Sequence, residues 1–255
     1  MSGAPERGGR LERRLSAVAV AVGCALFLGG FVLAAFLYQP YTVPTNSMSP
    51  AVTAGDRVLA QRVDGTDVRR GDVVVFRDAA WGDLPMIKRV VGVGGDTVTC
   101  CDESGRLMVN GEPIDEPYVD QAYDALSTQF EATVPDGEIF LLGDHRVDSL
   151  DSRDQLTDSD PGTVPVAAVS GRVEATVWPF DRLGTLPRAT GFAGLPGGVS
   201  GAGPLGPLTY AIVVGAVLIV CGALYGPVAG RLGRARADRR GVPTPPVAHN
   251  EGTHG

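Results

Sequence analysis

The sequence predicts a mainly β protein, an antiparallel all-β extracytoplasmic domain flanked by two transmembrane helices. Three observations predict it. Two long uncharged stretches bracket the central part of the chain, and arginines cluster beyond the outer end of each. Between them, short β-rich runs recur at intervals of roughly 10–15 residues, with Gly, Asp, Asn and Pro at the breaks.

Residues 1–14 carry Arg7, Arg10, Arg13 and Arg14 and are expected in the cytoplasm. Residues 15–38 contain no charge over 24 positions, enough to span a hydrocarbon core at roughly 20 residues per crossing. The apolar part of a cleaved secretory signal is shorter, about 7–15 residues, so this segment reads as a retained anchor. The exterior domain follows over 39–183, then a Gly/Pro-rich linker over 184–207, expected to tether the domain loosely. A second span over 208–230 leads into a cytoplasmic tail, 231–255. The tail opens with Arg231, Arg234, Arg236, Arg239 and Arg240, and its polar end is expected to be disordered. Positive flanks at both distal ends place both termini inside and everything between the spans outside. Gly222 and Gly226 have the small-xxx-small spacing that seats helices together, a spacing that chance also produces.

The predicted strands are 57–63, 72–77, 87–93, 96–100, 106–111, 138–144 and 170–180, with VNGEP and VGGD as tight turns. Residues 112–136 read as an acidic, weakly patterned excursion. Residues 39–204 hold 25 acids against 13 bases. No basic stripe is present, which excludes nucleic acid as a partner. No Cys/His cluster has metal-ligand spacing and no glycine loop suits a phosphate, so neither a metal nor a cofactor is expected. Cys24 and Cys221 lie in the spans as apolar side chains. Adjacent Cys100 and Cys101 fit two thiols, a vicinal bridge or an intermolecular link.

Lys88 is the only lysine, against 21 arginines. Arg cannot lose its proton in a protein, whereas a buried Lys can become a neutral base. Lys88 sits in the apolar β-branched run LPMIKRVVGV; the alternative is an ion-pairing surface lysine. Upstream, QPYTVPTNSMSPAVTAGDRV places Ser47 on an irregular segment, with Thr45 two residues earlier. Such a serine can expose its hydroxyl as a nucleophile while its own amide and the Thr45 hydroxyl face an oxyanion. A plain polar turn is the alternative. The exterior domain holds a single histidine, His145, as the competing base, because His249 and His254 lie in the tail.

The order SMSP, KRVVGVGGD and GDHRVDSLDSR behind an N-terminal anchor resembles bacterial type I signal peptidase, over residues 43–178. The resemblance implies a Ser–Lys endopeptidase of the bacterial plasma membrane that cuts secretory preproteins after small residues. It implies Ser47 as nucleophile, Lys88 as general base and Thr45 with the Ser47 amide as oxyanion hole. Ser149 falls where a hydroxyl orients the lysine, and Asp144, Arg146, Asp151 and Arg153 fall where charged residues support the site. His145 stands in place of the commoner Asn, and Asp148 puts a carboxylate beside Ser149, expected to point outward. A dedicated processor of a narrow class such as pilins has the same residues. A non-catalytic membrane-anchored binding domain needs neither Ser47 nor Lys88.

Overall fold

The computed structural model describes residues 6–119 and 129–240. Its elements are α1 (Glu6–Leu37), β1 (Tyr38–Thr42), β2 (Arg57–Gln61), β3 (Val73–Phe76), β4 (Met86–Val93), β5 (Thr97–Cys100), β6 (Met108–Val109), β7 (Glu112–Pro113), β8 (Phe130–Thr133), β9 (Glu138–Leu142), α2 (Ser152–Gln155), β10 (Leu156–Thr157), β11 (Asp160–Pro161), β12 (Val164–Pro165), β13 (Val169–Trp178), β14 (Gly184–Thr185) and α3 (Leu205–Arg240). Residues 34–205 form one compact unit, and the helices outside that range form another.

Every strand pairing is antiparallel, as the alternating pattern and short turns require. The large sheet runs β1-β2-β13-β3-β4-β9-β12, with β14 added beside β13. A second sheet runs β7-β6-β5-β8. The VNGEP turn closes β6 on β7, with Asn110 and Gly111 both at positive φ, the geometry of a two-residue hairpin. β3 is buried at every position and β4 at six of its eight, which fits their unbroken β-branched sequence. Val43, Met48, Val52, Val58, Val75 and Ile87 share one core cluster, and Val74, Phe76, Val90, Ile139 and Leu141 another.

Cys100 and Cys101 are bridged to each other, which resolves the three alternatives in favour of the vicinal disulfide. The segment 184–207 is not a loose tether. Ala189, Phe192 and Leu195 are buried in a cluster with Val98, Val109 and Phe140, each large side chain contributing on the order of 2 kcal/mol. Its glycines let the backbone lie flat: a Cβ on Gly191 would meet the Asp115 carbonyl at 2.1 Å. Arg70 Nη1 donates to Pro196 O at 2.6 Å and Ser200 Oγ to Asp72 at 2.7 Å.

Both long helices contain stretches long and apolar enough to cross a membrane, Arg13–Leu37 and Leu205–Tyr225. Leu15, Leu28, Val213 and Val220 on these stretches are exposed, unlike the side chains of a core helix. The helices run antiparallel, and their seam uses glycines seven apart. Gly23 faces Gly215 and Ile219, Gly30 faces Ile212, and Gly222 faces Val20. Ser16 Oγ donates to Gly222 O at 2.6 Å. The seam therefore includes Gly222, on a seven-residue spacing with Gly215. The tail expected from 231 is helical to Arg240; its remainder and the start of the N-terminal segment lie outside the described residues.

Candidate active site

The loop from β1 to β2 is closed at its base by Val43 N–H to Asp56 O and Gly55 N–H to Val43 O, each 2.9 Å. Met48 and Val52 plug the loop into the core, and Asn46 Oδ1 accepts from Ala54 N–H at 2.9 Å. Ser47 is held between these anchors, 8% exposed, with its hydroxyl turned towards β4.

β4 presents Lys88, 3% exposed and opposite Val74 in the β3 register. Its Nζ lies 2.7 Å from Ser47 Oγ, so two residues 41 apart in sequence share one hydrogen bond. No carboxylate makes an ion pair with Lys88 among the described residues. Burial lowers its pKa from 10.5 to about 8, against the raising fields of Asp151, Asp144 and Asp154. Thr45 is exposed, and its Oγ1 donates to Ser47 Oγ at 3.3 Å. The three residues expected at the chemistry are thus brought together.

The expected supporting residues occupy the loop after β9. Asp151 caps α2 and accepts from Gly143 N–H at 3.0 Å, and both its oxygens take Arg153, at 2.8 and 2.9 Å. Arg153 Nη2 reaches Arg146 O at 2.6 Å, and Arg146 Nε reaches Gly143 O at 3.1 Å. Asp144 takes the guanidinium of Arg89 through two bonds, 2.7 and 2.6 Å. Burial pushes the Asp144 carboxyl upward, opposed by that guanidinium. The loop meets the nucleophile through backbone: His145 N–H donates to Ser47 O at 3.1 Å. Gly143 has to be glycine, because a Cβ there would stand 2.5 Å from Ser47 O and 2.1 Å from Ser149 Oγ.

Ser149 departs from expectation. Its hydroxyl is buried against Gly143 and makes no hydrogen bond, so the bond expected to Lys88 is not formed. Asp148 is exposed, as expected. Two members of the lattice escaped the sequence reading. Glu116 accepts from Arg146 Nη2 at 2.7 Å, and the Tyr118 ring lies 3.8 Å from the Arg89 guanidinium carbon. Their signal is the inward period of two across Ile114, Glu116 and Tyr118, masked by neighbouring acids.

A family model described as signal peptidase, peptidase S26, matches residues 13–178. The chain belongs to this family. It is similar to signal peptidase I of Mycobacterium tuberculosis, 32% identical with 71% of this chain and 78% of that protein covered. It is also similar to signal peptidase I of Bacillus licheniformis, 30% identical with 66% and 89% covered. A solved signal peptidase I from Enterococcus faecalis is 30% identical over 41% of this chain and 94% of its own, with a TM-score of 0.34. Membership makes the protein a hydrolase, a serine peptidase of the signal peptidase I type.

Proposed function

We propose that the protein is a membrane-anchored endopeptidase that removes signal peptides from exported preproteins, with Ser47 as nucleophile and Lys88 as general base. The carrying observation is the 2.7 Å contact between Ser47 Oγ and an amine that burial has brought to a pKa of about 8. A neutral Lys88 accepts the hydroxyl proton as Ser47 Oγ attacks the scissile carbonyl carbon. The Ser47 amide and the exposed Thr45 hydroxyl receive the oxyanion. The Lys88 ammonium then protonates the leaving amine. Water, deprotonated by the same amine, hydrolyses the acyl-enzyme.

Asp144, Arg146, Asp151 and Arg153 hold the loop that contacts Ser47 from behind. Ser149 is assigned to orient the amine during turnover, and its buried, unused hydroxyl favours this, since such groups rarely stay unpartnered. Substrates with small residues before the cut, insertion in the plasma membrane and cytoplasmic termini complete the proposal. The family match, the apolar helices and the flanking arginines support it. The test is incubation of purified full-length enzyme with a preprotein. Ser47→Ala should abolish the mature product while leaving the circular dichroism spectrum unchanged. Cleavage at the wild-type rate would refute the assignment.

A further inference from the structure

α1 passes into β1 without a linker, since the helix ends at Leu37 and the strand begins at Tyr38. The last carbonyls of a helix need outside donors, and a cation there also answers the helix dipole. The last turn of α1 contains no basic residue. Arg62, just after β2, fills that role from another part of the chain. Its Nη1 reaches Ala35 O at 3.1 Å, Phe36 O at 2.7 Å and Tyr38 O at 3.3 Å. Its backbone N–H donates to Leu37 O at 2.8 Å, so one residue serves four successive carbonyls. Arg62 Nη2 also reaches Gln39 Oε1 at 3.5 Å.

We propose that Arg62 is a positioning residue that locks the junction between the membrane helix and the peptidase domain. In that role it sets where along a membrane-inserted preprotein Ser47 cuts. The idea rests on the signal-peptide reading above. A helical residue advances about 1.5 Å and an extended one about 3.4 Å. Fraying one final turn of about four residues therefore adds roughly 8 Å of slack between helix and nucleophile. That exceeds the tolerance of a reaction in which about an ångström of misplacement costs up to roughly 100-fold. A soluble peptide diffuses to Ser47 and does not register this slack, whereas a substrate fixed in the bilayer does.

The experiment uses the full chain in lipid vesicles with two substrates. One is a preprotein carrying two acceptable cut sites a few residues apart, and the other is a short soluble peptide spanning one site. Arg62→Ala should slow preprotein cleavage by roughly 10- to 100-fold and shift product towards the outer site. The peptide kcat/KM should stay at the wild-type value. Arg62→Lys, which keeps three charged donors, should restore most of the rate and the original cut site; it also serves if the Ala variant proves unstable in a thermal melt. Equal losses on both substrates, or wild-type behaviour on both, would overturn the proposal. A wild-type enzyme that cleaves neither substrate would instead overturn the peptidase assignment, and this proposal with it.

Discussion

Lys88 and Arg89 are neighbours on β4, both at most 3% exposed, and they are treated oppositely. Arg89 meets the Asp144 carboxylate through two bonds, the Gly71 carbonyl and the Tyr118 ring. Lys88 meets a serine hydroxyl and is otherwise shut away from water. Successive strand residues face opposite sides, so two adjacent positions sample two environments. On one side a permanent cation is fully partnered. On the other, burial disfavours the charged form of an amine that no carboxylate contacts, and lowers its pKa to about 8. On the proposed mechanism the difference accounts for the one Lys in a chain whose other Lys/Arg cations are all Arg: a general base at this position has to give up its proton.

Exchanging the two environments breaks the comparison most severely. Lys88→Arg and Lys88→Met should each lower kcat/KM by up to roughly 10⁴-fold, the upper range for a general base. Lys88→Met should match or exceed wild-type thermal stability at pH 7, because it removes a buried amine that is mostly protonated there. Arg89→Met should instead destabilise by about 3–5 kcal/mol in denaturant titration, since it strands Asp144 as an unpaired buried acid. An active Lys88→Arg enzyme would void the contrast. Thr45→Val probes the open side of the dyad and should lower kcat by roughly 10²–10³-fold at little change in KM, with Thr45→Ser near wild type. Ser149→Ala should give the smallest effect, about a tenfold loss of kcat with unaltered stability, because its hydroxyl makes no bond in the resting enzyme. A fully silent Ser149→Ala would reduce that residue to packing beside Gly143.

The seven strands expected from sequence all recur, because each pairs β-branched residues with a clear turn signal. β1 was missed for a physical reason. It lies on the edge of the sheet, where Pro40 is tolerated and one neighbouring strand suffices, so it needs no apolar run. β8 hides likewise in the acidic excursion. The 184–207 segment misleads through composition: glycine and proline suggest slack, yet three apolar side chains spaced three apart pin it to the core. At the site, residue types singled out Ser47, Thr45 and Lys88 as candidates, since each has a distinct chemistry, and the fold brings the three together. Hydroxyl orientation at Ser149 and the long-range bonds of Arg62 and Glu116 depend on tertiary placement, which no local pattern encodes.

The central claim is that burial, above all, makes Lys88 a usable base, and the pH dependence of kcat/KM on a soluble peptide tests it most directly. The folded pKa lies below the unfolded value, so the neutral form proposed to be active grows as pH rises through about 8, and the cost of burying the charged amine, full below that pH, fades between about 8 and 10.5. The account predicts a rate that climbs tenfold per unit below pH 8 and levels above it. A midpoint near the ordinary lysine value of about 10.4, or a rate already flat by pH 7 as a histidine base would give, would contradict it.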